Sequence, residues 1–174
     1  MNSEFTIAIH CMLFLYARGE KKANSDEIAC SVSTHPARVR KVLGCLGKRG
    51  FVATKEGARG GYQLNIPPES ITLGELYRIF ARGSLQPGWC SGSEQSPCAV
   101  SSNIHSVMEH VFAGAERRLE TYFDEITLSD VHRLLMKYDC DKQGSGNEPT
   151  FDSRWASRAI EQAMRQGKER PEND

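Results

Sequence analysis

The stretch from Asn24 to Asn65 constrains this chain most, because it sets two helix starts, two breaks and a glycine-tipped hairpin in close succession. Asn24 can cap a short helix, with Glu27 three residues on as the reciprocal capping group. A break at Ser31-Val32-Ser33 leads to a second cap, either Ser33 or Thr34. Pro36 falls in the first turn of the helix that follows, where a missing N–H does no harm. Val39, Val42, Leu43 and Leu46 form the inward stripe of that helix, and Gly50 ends it. Phe51-Val-Ala-Thr and Tyr62-Gln-Leu-Asn then read as strands joined by Glu-Gly-Ala-Arg-Gly-Gly, whose glycines permit positive φ at the tip. Two helices, a break and a hairpin in that order describe a winged helix-turn-helix, which sets one helix in the DNA major groove with the hairpin beside it. The expected fold class is therefore mainly α with a small β-hairpin wing.

Charge supports that reading through its distribution rather than its sum. The chain has 174 residues and a formal net charge of +0, a balance that alone speaks against a nucleic-acid partner. Yet from Arg38 to Arg59 the chain sets Arg38, Arg40, Lys41, Lys48, Arg49, Lys55 and Arg59 against the single acid Glu56, and acids gather later at Glu109, Glu116, Glu120, Asp124 and Glu125. Such a local basic face suits phosphate contacts. No apolar run approaches the roughly 18 residues of a membrane span. Glu4 precedes the first apolar residues with no basic segment, so no secretory signal is expected and the expected location is cytoplasmic. No phosphate-binding loop, dinucleotide fingerprint or HExxH pattern points to an enzyme. The rival reading is a winged helix used for protein contact, in which Arg38, Arg40, Lys41 and Arg59 would be dispensable.

Around the motif, residues 2–18 form a helix apolar on several sides, a sign of burial against more than one partner. Ile71-Thr-Leu-Gly-Glu-Leu76 carries another helix start, with Thr72 as cap and Glu75 answering it. Residues 82–96 turn to Gly, Ser, Pro and Gln and read as a loop. Ser96-Pro97 opens a long helix in which Ile104, Met108, Val111, Ala115, Leu119, Tyr122 and Ile126 make a coiled-coil-like seam, for a second copy or for the chain's own domain. Thr127 and Asp130 start a further helix with Leu128, Val131, Leu134, Leu135 and Tyr138 as its buried face. A polar linker from Asp141 to Pro149 precedes a weaker helical stripe through Phe151, Trp155 and Ile160. The expected organisation is a DNA-binding domain at 1–81, a loop with a sensor cysteine at 82–97, dimerisation helices at 98–140, and a linker and tail at 141–174.

The motifs Ser33-Thr-His-Pro-Ala-Arg-Val-Arg-Lys-Val-Leu, Arg49-Gly-Phe-Val, Gly57-Ala-Arg-Gly-Gly-Tyr-Gln-Leu and Ile71-Thr-Leu resemble the Rrf-two family of bacterial transcription regulators across about residues 1–138. The resemblance implies a homodimeric winged-helix regulator, usually a repressor, whose long helix crosses its twin. By that reading the helix from Thr34 to Arg49 lies in the major groove of double-stranded DNA, with His35, Arg38, Arg40 and Lys41 placed for bases or flanking phosphates. Arg59, with Tyr62 behind it in the wing, would enter the minor groove. Two-fold symmetry implies a palindromic operator.

Cys11, Cys30, Cys45, Cys90, Cys98 and Cys140 match no zinc ribbon or secreted disulfide framework. With Ser96 as cap and Pro97 first in the long helix, Cys98 falls in its first turn, where unpaired amides stabilise a thiolate. That makes Cys98 the candidate sensing residue. Cys140, between Asp139 and Asp141, suits a resolving role, and Cys30 adjoins the reading unit. Cys11 and Cys45 lie on apolar faces as core thiols. Cluster-binding relatives place three cysteines before the long helix. Here only Cys90 and Cys98 stand there, with His105 as a third ligand by departure, so no cofactor is expected and an iron–sulfur cluster remains the alternative. Thiol-based relatives imply a switch joining Cys30 to Cys140 across the dimer, or trapping Cys98. A small ligand beside Tyr77, Phe80, Trp89 and Phe112 is a third reading.

Overall fold

The structure, a computed structural model, describes residues 3–55, 57, 60–86 and 91–144, with 139–144 as backbone alone. Contacts divide the chain into two units, Met1–Arg133 and Leu134–Asp174, and the core lies in the first. Helix α1 (Ser3–Arg18) buries Phe5, Ile7, Ala8, Cys11, Met12, Leu13 and Leu15. No single helix face can hold that set, so α1 is the central post, with α2, α3, α4 and the wing packed around it. Arg18 closes its last turn and Gly19, at φ +60°, turns the chain away.

Helix α2 (Ser25–Val32) begins with the expected capping box. The Asp26 and Glu27 amides donate to Asn24 Oδ1 at 3.0 and 2.9 Å, and the Asn24 amide donates to Glu27 Oε2 at 2.9 Å. Ser33 closes it in the left-handed region at φ +55°. Helix α3 (Pro36–Lys48) is capped by His35, not by Ser33 or Thr34. The cause is Pro36: the residue before a proline is driven out of the helical region, so His35 is extended (φ −75°, ψ 137°) and must be the cap. Ile28, Ala29, Val39, Val42, Leu43 and Leu46 meet α1 between the two helices, each larger side chain contributing about 1.5–3 kcal/mol on burial.

Strands β1 (Val52–Lys55) and β2 (Gly61–Leu64) pair antiparallel, with Val52 opposite Leu64 and Lys55 opposite Gly61. The hairpin is moored to the α1–α2 connection, where Ala23 and Tyr62 exchange backbone hydrogen bonds of 3.0 and 2.8 Å. Gly61 permits this approach, since a Cβ there would stand 2.8 Å from the Ala23 carbonyl oxygen at φ +140°.

Helix α4 (Leu73–Phe80) carries the Thr72–Glu75 capping box, and Thr127 and Asp130 build the same device ahead of α6 (Leu128–Gly144). The segments before these helices form one antiparallel bridge, with the Leu73 amide donating to Ile126 O and the Leu128 amide to Ile71 O, both at 2.8 Å. Helix α5 (Ala99–Asp124) runs 26 residues, and its one buried residue is an acid, Glu116, 9% exposed. Glu116 accepts from Tyr77 Oη at 2.9 Å and from the Gly83 amide. One turn on, Glu120 meets Arg82 at 3.3 Å, and a further turn on, Asp124 accepts two hydrogen bonds from Arg78 at 2.9 and 2.8 Å. The Arg78 guanidinium holds the Asp124 carboxyl below its ordinary range. Phe123 completes the join, its ring 5.5 Å from Phe5 and 5.4 Å from Tyr77.

Two further expectations need correction. Helix α6 continues through Asp141–Gly144, where the linker is expected to begin, so Cys140 stands in a helix. Leu135, expected on a buried face, is exposed. In the α5 seam, Val111 and Ala115 are exposed on the single chain, so no described residue of its own domain covers them. The expected stripe from Phe151 lies outside the described residues. Among the described residues no helix is long and apolar enough to cross a membrane.

Candidate nucleic-acid interface

Helix α3 presents one clean outer row. Opposite the buried stripe, Ala37, Lys41, Gly44 and Lys48 are all exposed at spacings that keep them on one face. Two of these are small. Gly44 has no neighbour within 4 Å of where a Cβ would sit, so packing does not require glycine there. Close approach of another molecule's surface would.

The arginines flank this row and are already oriented. Arg38 donates to Ser3 Oγ at 2.5 Å, and Lys41 pairs with Glu4 at 2.5 Å, tying the first half of α3 to the start of α1. On the opposite flank Arg40 donates to the buried Ser25 Oγ at 3.0 Å. All three side chains remain exposed, and the tethers are made by the charged ends themselves, so Arg38 and Arg40 keep their charge on the surface while Lys41 shares its own with Glu4. His35, exposed at the head of α3, accepts the Ala37 amide at Nδ1 at 3.1 Å. The structure thus brings His35, Arg38, Arg40 and Lys41 to one end of one helix. Tyr62 is half-buried and packs against the core at the wing's base. Arg59 lies outside the described residues. Sequence reading missed Ala37 and Gly44, although two small residues on the row opposite the apolar stripe were there to be noticed.

The cysteines sort by environment. Cys98 is exposed and is itself the N-cap of α5, two positions earlier in the helix than a Ser96 cap would set it; Ser96 Oγ accepts the Cys98 amide at 3.2 Å. The Ser101 and Val100 amides in the first turn of α5 hold the pKa of the Cys98 thiol below the ordinary thiol value. Burial pushes the Cys11 thiol up to about 12. Cys45 is half-buried and Cys30 exposed. Cys90 and the side chain of Cys140 lie outside the described residues. His105 pairs with Glu109 at 3.3 Å, and among the described residues no three His, Cys, Asp or Glu side chains converge as a metal requires. Tyr77 and Phe80, weighed as pocket-lining residues, are core, and Trp89 lies outside the described residues.

The family model Rrf2, described as "Iron-dependent Transcriptional regulator", matches residues 1–133. The chain is 27% identical over 136 residues to YwnA of Bacillus subtilis, provisionally an HTH-type transcriptional regulator, covering 78% of this chain and 98% of that protein. It is 29% identical over 125 residues to the HTH-type transcriptional regulator NsrR of Bacillus licheniformis, covering 71% and 85%. Among solved structures it resembles a provisionally assigned transcriptional regulator from Lactobacillus plantarum, with a TM-score of 0.68 at 26% identity over 81% of this chain and 100% of that one. T. potens IscR shares the fold, with a TM-score of 0.55 at 21% identity over 85% and 93%.

Proposed function

The chain belongs to the Rrf2 family of transcriptional regulators, and from that premise we propose that it is a homodimeric repressor whose grip on a palindromic operator is set by oxidation of Cys98. The observation that carries the DNA half is the outer row of α3, bare at Ala37 and Gly44, carrying Lys41 and Lys48, and flanked by Arg38 and Arg40. Laid in a major groove, that row lets the helix axis approach while the flanking cations meet phosphates or base edges. Arg59 at the wing tip serves the adjacent minor groove, and Tyr62 braces the wing. A second copy meets the first along α5, where Val100, Val107 and Val111 are 71%, 54% and 52% exposed.

The sensing half rests on Cys98. An exposed thiol with a lowered pKa attacks a peroxide oxygen, giving a sulfenic acid and hydroxide. A second thiol, Cys30 or Cys140, then attacks the sulfenic sulfur, forming a disulfide and releasing water. An alternative pairing of Cys30 with Cys140 themselves follows the same balance and acts nearer the reading helix. Because the family model is described in terms of iron, the fit of a metal matters: the described residues do not form a ligand set, with His105 held by Glu109.

The decisive experiment titrates the protein against DNA upstream of its own gene, once reduced and once after mild peroxide treatment, at several salt concentrations. Affinity falling steeply with salt identifies phosphate contacts. Affinity that changes on oxidation and returns with reductant supports the switch. Equal binding in both states discards the switch and keeps the DNA reading. Salt-insensitive binding sinks the DNA reading in favour of a protein-contact module.

A further inference from the structure

Pro36 removes one amide from the first turn of α3, and the Arg38 and Val39 amides donate to the His35 carbonyl oxygen at 2.9 and 3.4 Å. The first-turn amide that is left, Ala37 N–H, donates to His35 Nδ1 at 3.1 Å. Nδ1 must then carry its lone pair, so the single proton of the neutral imidazole sits on Nε2. The ring is exposed, and the cap holds its plane, so Nε2–H is offered outward as one oriented donor at the head of α3. Beside it Ala37 presents only a methyl group.

One donor of fixed direction favours a base edge that sets acceptors side by side. In the major groove guanine shows two adjacent acceptors, N7 and O6. Adenine sets an amino donor beside its N7, cytosine shows an amino donor, and thymine flanks its O4 with a methyl group. We propose that His35 is a specificity-determining residue that reads one guanine in each half-site through Nε2–H, its tautomer set by the Ala37 amide. This rests on the DNA-reading proposal and adds the base class and the atom that reads it.

The test selects duplexes from a randomised library with the reduced full-length protein, wild type beside two variants that keep an N-cap acceptor. His35→Ser removes the donor; His35→Asp replaces it with an acceptor suited to the cytosine amino group. The wild type is expected to demand guanine at one position per half-site. His35→Ser should lose that preference by roughly fivefold or more, the lower end of base discrimination, with other positions unchanged. His35→Asp should turn the preference toward cytosine. Unchanged circular dichroism and melting of both variants would tie these shifts to reading rather than folding. If His35→Ser instead weakens binding equally on every duplex, His35 is a phosphate contact and the inference is overturned while DNA reading stands. If the wild type selects no duplex at all, the DNA-reading proposal falls first and takes this inference with it.

Discussion

Gly44 is a residue whose presence folding does not explain. A glycine inside a helix costs about 1 kcal/mol relative to alanine, and at position 44 a methyl group would meet no atom within 4 Å. Gly44→Ala is therefore expected to stabilise the isolated protein by about 0.5–1 kcal/mol, seen as a higher denaturant midpoint with unchanged slope. The same substitution should weaken DNA binding, because the methyl sits on the row that would face the groove; a variant both more stable and equally tight on DNA would remove Gly44 from the interface. Cysteine chemistry separates at the same scale. With its folded pKa held below the ordinary thiol value of 9.0 by the Ser101 and Val100 amides, Cys98 gains thiolate as pH rises earlier than a free thiol does. Its alkylation rate should climb through a midpoint below 9.0. Cys11, pushed up to about 12 by burial, should resist alkylation until the protein unfolds. Mass spectrometry of peptides after a timed iodoacetamide pulse across pH reads both, and equal labelling of the two would contradict the assignment.

Helix α5 joins α4 chiefly through carboxylates, which makes that join sensitive to single substitutions. Removing the Glu116 side chain takes the acceptor from the Gly83 amide and leaves Tyr77 Oη with Ser84 Oγ at 3.2 Å in place of the carboxylate. Glu116→Ala should therefore cost about 1–3 kcal/mol, the penalty for stranded buried polar groups. Glu116→Gln, which keeps one acceptor oxygen, should cost clearly less in the same urea titration; equal losses would mean the side chain acts by volume and not by hydrogen bonding. Gly74 belongs to this join as well, since a Cβ there would overlap the Asp124 carboxylate that Arg78 holds. What was legible in the sequence follows from the range of each interaction. The boxes at Asn24–Glu27, Thr72–Glu75 and Thr127–Asp130 close within three residues, so local pattern is enough to find them. The α3 cap falls at His35 and not at Ser33 or Thr34 because Pro36 acts sterically on the residue before it, an effect that side-chain capping preference does not register. Contacts such as Arg38 with Ser3, Lys41 with Glu4 and Glu116 with Tyr77 join residues 35, 37 and 39 positions apart. Such pairs exist only once the helices have packed. Leu135 was assigned to a buried face because an apolar stripe reveals that something covers it, and not what does.

At the scale of the whole molecule, α5 carries apolar side chains that no described residue covers. Val107 and Val111 lie one turn apart and are each more than half exposed, so burying them requires another surface. A second α5 offers one of matching length and pattern, with contacts repeated about a two-fold axis. Charge at this seam separates assembly from folding. Val107→Glu with Val111→Glu should leave the melting of the single subunit nearly unchanged, since neither valine belongs to its core. In sedimentation velocity the wild type is expected to run as a dimer and the double variant as a monomer. Loss of the dimer uncouples the two reading helices, so binding to a two-half-site duplex should fall by roughly a hundredfold or more, the range that linked binding commonly contributes. Binding to a single half-site should be unaffected. The salt dependence on the longer duplex should also flatten, because one subunit neutralises half as many phosphates. A double variant that stays dimeric would move the interface off this face of α5. A wild type that is monomeric at binding concentrations would instead mean that the operator, rather than the helix seam, brings the two copies together.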